Sequence, residues 1–186
     1  MTDHFELISN RYGLSEKAVS VLKTVFTEVC VQRGQTVLDF NQLNRHVYIV
    51  ARGLVKSYFL REGRERILNF AFDGEIAVLP SERRECSSLS VVAIEDSILF
   101  KADKRKLEEC FRQSVELAYW GYEMIKQVVQ FSIDDYMDFL WMDKQEIYKK
   151  LLNEHPDILQ RIPLQDIAAY LNITPSSLSR IRANIK

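Results

Sequence analysis

Between Thr174 and Arg182 the chain sets four hydroxyls and two guanidiniums close together: Thr174, Ser176, Ser177, Ser179, Arg180 and Arg182. No acid, base or nucleophile of the kind that breaks bonds stands among them. Their chemistry is recognition. A guanidinium donates paired hydrogen bonds to a guanine edge or a phosphate, and hydroxyls meet bases or phosphate oxygens. The flanking residues say how such groups are held. Ile167, Ala168 and Leu171 share one face of a two-turn helix, and Asn172 tolerates the left-handed conformation that a sharp turn requires. Ile173 is apolar and packs inside the turn. Thr174 caps a second helix with Pro175 at its first position, where a missing N–H costs nothing. Leu178, Ile181 and Ile185 are expected to form the buried stripe of that helix, and a small residue at Ala168 lets the two helices cross closely. The polar side chains are then left outward, as on a helix that enters the major groove of DNA.

The charge pattern agrees. The whole chain of 186 residues carries a net charge of −1. Residues 158–186 hold Arg161, Arg180, Arg182 and Lys186 against Asp166, a local +3 that leaves −4 for the rest. The basic excess sits where a phosphate-binding module would use it.

Other chemistries find little support. The histidines are His4, His46 and His155, and no HxH pair exists, so neither a metal nor a cupin-like enzyme site is expected. Cys30, Cys86 and Cys110 are scattered, which suits reduced thiols rather than a metal or an iron–sulfur cluster. G-x-S-x-G, P-loop and HExxH motifs are absent. No catalytic residue, cofactor or metal is therefore expected. The opening Met1-Thr2-Asp3-His4 lacks the features of a secretory leader, and apolar runs such as Val47–Ala51 are short, so a cytoplasmic protein away from the membrane is expected.

The pattern along the chain changes three times. Ser15 caps a helix in which Ala18, Leu22 and Phe26 recur at four-residue spacing. From Val29 to Ala102, short β-branched and aromatic runs are separated by Gly34, Gly53, Gly63 and Gly74, which predicts a sandwich, roll or barrel. Two of these runs flank Arg61-Glu62-Gly63, a hairpin signal. Helix returns near Lys104, and a long helix begins near Ser114. In it Val115, Ala118, Tyr122, Ile125 and Val129 follow the 3-4 spacing of a pairing seam, beside a second ridge of Leu117, Trp120, Met124, Val128 and Phe131. A helix apolar over two ridges needs two partners: its own β domain and the same helix of a second subunit, or deep burial in a monomer. Asp143-x-x-Glu146 is a capping box that starts a further helix, which stops before His155-Pro156.

Residues Ile162–Arg182, read as IPLQDIAAYLNITPSSLSRIR, closely resemble the C-terminal end of Crp/Fnr-type regulators, nearest the branch common in Bacteroidetes. His46–Val55 and Ala93–Ser97 resemble the β-roll of that family. The resemblance implies an α+β fold: an N-terminal β-roll (a double-stranded β-helix of cyclic-nucleotide-binding type), a long dimerisation helix and a small C-terminal helix-turn-helix. The expected divisions are 1–112, 113–142 (dimerisation helix and hinge) and 143–186. It also implies a homodimer on a palindromic duplex site, with RNA polymerase and a small effector as further partners.

Two departures from the family stand out. Its cyclic-AMP binders begin a phosphate cassette with Gly-Glu, present here as Gly74-Glu75, and close it with Arg and a small polar residue. The corresponding positions here hold Ser87 and Ser88, while Arg83 and Arg84 lie a few residues early. A phosphate there lacks its bidentate partner. Tight binding of cyclic AMP is not expected; the effector is another molecule, or the protein is constitutive. Many relatives also carry Glu where this chain has Ser176, so the half-site read should differ. The rival reading is a β-roll ligand-binding or interaction module that does not bind DNA specifically.

Overall fold

The structure is a computed structural model and describes residues 5, 10, 12–80 and 87–185. Helix α1 (Glu16–Val25) is capped by the Ser15 hydroxyl, which accepts from the Ala18 N–H. Eight strands follow: β1 (Phe26–Val31), β2 (Thr36–Leu38), β3 (His46–Arg52), β4 (Val55–Arg61), β5 (Arg64–Ala71), β6 (Ile76–Val78), β7 (Ser90–Ala93) and β8 (Ser97–Asp103). They make two four-stranded sheets of order β1-β8-β3-β6 and β2-β7-β4-β5. Then come α2 (Lys104–Gln113), α3 (Val115–Trp141), α4 (Lys144–Glu154), α5 (Ile158–Arg161), α6 (Leu164–Tyr170) and α7 (Pro175–Asn184). This is the expected α+β fold with a β-roll.

The chain folds as two compact units, Met1–Ser57 with Phe70–Val128, and Tyr58–Asn69 with Val129–Lys186. In the first, strand alternation builds two cores. Tyr48 and Val50 of β3 and Leu99 of β8 face the roll interior with Val31, Val55, Ala77 and Val91. Their neighbours Val47, Ile49, Ala51, Phe100 and Ala102 face the other way. They pack under Leu22 of α1, Leu107 of α2, and Leu117, Trp120 and Met124 of α3. A strand apolar on both faces reads as the continuous run seen at Val47–Ala51.

The β4–β5 hairpin closes through Glu62 and Gly63, with φ of 54° and 71°. Positive φ at both central residues is the turn that matches strand twist. Phe26 departs from expectation. It opens β1 rather than closing the helical stripe, because β-branched residues at Thr27, Val29 and Val31 favour extended backbone. It is nonetheless buried in the same core as Ala18 and Leu22. Among the described residues, no helix is long and apolar enough to cross a membrane.

Candidate nucleic-acid interface

Helix α4 starts with the expected capping box: Asp143 accepts from the Gln145 and Glu146 amides, and Glu146 accepts from the Asp143 amide. It contributes Ile147, Tyr148 and Leu151 to a small core shared with Ile158, Ile162, Ile167, Ala168, Leu171 and Leu178, all buried. Between α4 and α6 stands only the single turn of α5. Among the described residues past Asp143 there is no strand, so no winged hairpin precedes α6.

The turn between α6 and α7 is set by the backbone. Asn172 adopts φ 57°. The Ile173 N–H donates to the Ala168 carbonyl at 3.0 Å, and the Asn172 N–H to that of Ala169 at 3.3 Å. Those two bonds are a Schellman closure, which uses up the last carbonyls of α6. Ala168, 1% exposed, has no side chain beyond Cβ to hold α7 away. Thr174 then caps α7, its hydroxyl accepting from the Ser177 N–H at 3.2 Å. The same oxygen lies 2.9 Å from both the Ser176 and Ser177 hydroxyls.

The six predicted recognition residues all lie on or beside α7, but they do not form one uniform face. At about 100° per residue, Ser176 and Arg180 lie roughly opposite Leu178, and Ser179 lies to the side, about 100° from it. All three are exposed, as are Thr174 and Arg182. Ser177 is half-buried, and its groups serve the cap. Among the described residues, Ser179, Arg180 and Arg182 make no side-chain hydrogen bond or ion pair. Ala183 shares the outward face and is exposed; the sequence reading passed over it because an alanine carries no polar signal. An exposed methyl is a group that can meet a thymine C5 methyl in a duplex groove. Only Leu178 of the expected stripe is fully buried; Ile181 and Ile185 are half-buried, since Ile185 already lies at the cap beyond the helix.

Within the second unit, α3 is tied to α4 and α6 by a charged cluster. Lys150 donates to Asp138, the Tyr170 hydroxyl bonds Asp135, and the Phe139 and Tyr170 rings meet edge to face at 5.6 Å. Burial pushes the Asp135 carboxyl above the ordinary aspartate range. Lys150 opposes that shift, and Asp138, Glu154 and Asp134 add to it. Burial and the same carboxylates push the Tyr170 phenol far up, so it remains a donor. A raised carboxyl favours folding at low pH, and that contribution is lost as pH rises through its folded pKa. Asp135→Asn keeps an acceptor for Tyr170. It is expected to add about 0.5 kcal/mol at pH 7, solvent screening included, and nothing at pH 3. Urea unfolding at the two pH values checks this.

Helix α3 also presents an uncovered stripe. Val115, Tyr122, Ile125 and Val129 are exposed, as the seam reading expects, and the stripe continues through Ile133, Tyr136 and Leu140. At about 100° per residue these seven, with half-buried Ala118, lie within roughly 40° of one line. Of the second ridge, Leu117, Trp120 and Met124 are buried in the β-roll core and Val128 is half-buried. Phe131, which belongs to the second unit, is exposed instead. The helix is unbroken to Trp141, leaving Met142 and Asp143 as the link to α4.

Three of the expected effector residues, Gly74, Glu75 and Ser87, are engaged by hydrogen bonds within the chain. Gly74, at φ 82°, donates to the Val50 carbonyl at 2.7 Å. The Glu75 carboxylate turns back to accept from the Phe72 N–H at 2.9 Å. The Ser87 hydroxyl donates to the Leu89 carbonyl at 2.7 Å, and its N–H donates to the Gln42 carbonyl at 3.0 Å. Ser88 is exposed beside it. Arg83, Arg84 and Cys86 lie outside the described residues.

Fold and arrangement together define the class: a β-roll of cyclic-nucleotide-binding type followed by a compact helical unit. Residues 28–114 match the family model described as a cyclic nucleotide-binding domain. Over nearly the whole chain the fold is shared with solved regulators. FixK2 from Bradyrhizobium japonicum is 24% identical, with 87% of this chain and 84% of that one covered at a TM-score of 0.73. CLP, the c-di-GMP-responsive global regulator of Xanthomonas campestris, is 11% identical, with 92% and 91% covered at 0.72. A protein assigned to the crp/fnr family of transcriptional regulators, from Eubacterium rectale, is 16% identical, with 91% and 82% covered at 0.67. No curated protein matches the chain by sequence.

Proposed function

We propose that this chain is a sequence-specific DNA-binding transcription regulator of the Crp/Fnr type, acting in the cytoplasm as a homodimer. One observation carries the reading. Helix α7 is sealed on one side by Leu178 and leaves Ser176, Ser179 and Arg180 uncovered, at the basic end of the chain. On this reading α6 and α7 form a helix-turn-helix, with α7 in the major groove.

The α3 stripe supports pairing of two copies. Two-fold pairing sets two recognition helices about 34 Å apart, one turn of DNA, which calls for a palindromic site. The working divisions are then residues 1–112 for sensing, 113–142 for pairing and coupling, and 143–186 for DNA. The self-satisfied Glu75 and Ser87 support an effector other than cyclic AMP, or constitutive action. RNA polymerase is the further partner such a regulator engages.

Arg180→Ala tests the reading. It is expected to weaken binding to a specific duplex by about 1–3 kcal/mol and to relax one base position, with non-specific binding changed far less. A competition titration over single-base variants of the site measures this. Unchanged affinity and unchanged base preference would remove α7 as the reading element.

A further inference from the structure

The outer face of the first sheet holds a cavity of about 270 Å³, lying wholly within the first unit. Val47 and Ile49 of β3 and Ile76 of β6 form its floor; Phe111 of α2 and Trp120 and Met124 of α3 form its walls. This is not the roll interior. Val47 and Ile49 belong to the outer core, while Tyr48, Val50 and Ala77 belong to the inner one. The cavity is thus on the opposite face of the sheet from the roll interior. Part of the space exists because position 121 is glycine: a Cβ there would stand 2.7 Å from the Phe111 ring.

The lining fixes the kind of guest. The floor and walls are hydrocarbon and aromatic. At the rim Lys104 and Glu108 pair with each other at 3.7 Å, so the lining among the described residues offers no single charge to a charged molecule. An apolar cavity of about 150 Å³ takes up benzene, so this volume suits roughly two fused rings with a short substituent.

We propose that this cavity is a binding site for an uncharged, mainly apolar small molecule of about two rings. Its link to output rests on the homodimer reading. Ile125 lines the cavity and also lies in the exposed stripe of α3, so a guest bears on the turn of helix that pairs. Binding itself does not depend on that reading.

Prodan, an uncharged two-ring fluorophore with one carbonyl, is the probe. Titrated into the full chain, it is expected to show saturable, blue-shifted emission at one site per chain in the micromolar range. Ile76→Phe fills the floor and Leu79→Phe the mouth. Each is expected to weaken binding at least tenfold with the circular dichroism spectrum and thermal midpoint retained. Leu79 is 41% exposed, so that variant decides the matter if Ile76→Phe misfolds. Tyr122→Glu, on the stripe, is expected to leave binding intact. The proposal is overturned by absence of saturable binding, by unchanged binding in a folded filled variant, or by loss only in Tyr122→Glu. A chain that binds prodan as predicted yet selects no DNA site would retain the pocket and lose the regulator reading.

Discussion

A chain carrying both Tyr122→Glu and Val129→Glu is expected to sediment as a monomer and to bind a palindromic duplex at least about a hundredfold more weakly. In a single chain Tyr122 is 60% exposed and Val129 51%, so a carboxylate at either position meets water and leaves the fold intact. In a pair of α3 helices the same positions face their symmetry mates. Four carboxylates would then be desolvated together; the nearby Lys126, over the Tyr122 ring at 5.6 Å, is already paired with Glu123 at 2.7 Å, and each uncompensated buried charge costs several kcal/mol. A hundredfold loss needs only about 2.7 kcal/mol. Sedimentation velocity and a duplex titration read the two effects, and unfolding at low protein concentration serves as control. A double variant that remains dimeric would place the pairing surface elsewhere.

Gly53→Ala is expected to destabilise the first unit by about 3–5 kcal/mol. Gly53 sits between β3 and β4 at φ 114°, a conformation that L side chains rarely adopt. A Cβ there would lie 2.2 Å from Ser97 Oγ and 2.8 Å from Ser97 Cα. Neither side can retreat easily. Ser97 Oγ accepts from the Leu54 N–H at 3.1 Å and donates to the Glu95 carbonyl at 2.7 Å. Its strand, β8, is held between β1 and β3. The Gly53 amide is itself bonded to Asp73 at 2.7 Å. Urea unfolding measures the loss. Ser97→Gly in the same chain removes two of the three clashing atoms, so the double variant is expected to be more stable than the sum of the single losses predicts. A Gly53→Ala chain as stable as its parent would mean that this turn is free to open.

Much of the fold was legible because the local signals are strong and agree. Ser15, Thr174 and the Asp143/Glu146 box cap the helices they were expected to cap, and Asn172 takes the left-handed conformation its position demands. These are short-range effects, settled within one turn of chain. The failures come where tertiary burial decides. Phe26 satisfies both the helical spacing and the strand alternation, and the β-branched residues after it, together with the pairing of β1 with β8, select the strand. Phe131 fits the helical ridge of Leu117 and Met124, yet it is exposed, since spacing alone does not say how far along a helix a ridge stays buried. The exposed stripe of α3 runs further than the seam expected from sequence: Ile133, Tyr136 and Leu140 continue the spacing, but Asp134, Asp135 and Asp138 between them mask it.

The site shows the same division. The residue types on α7 were readable, but which hydroxyls are spent on the cap was not, since that depends on rotamers around Thr174. The effector residues were named by position alone. Glu75 and Ser87 bond within their own turns, which no spacing could reveal. The cavity beneath α3 left no motif, because it is assembled from ordinary core residues and one glycine distant from one another in sequence.

Selection of bound duplexes from a random pool, using the full chain, tests the central claim most directly. The account predicts enrichment of an inverted repeat whose half-sites are centred about one helical turn apart, with at least one position in each half lost in Arg180→Ala. A pool that returns no enriched sequence, or the same sequences with and without Arg180, would contradict it.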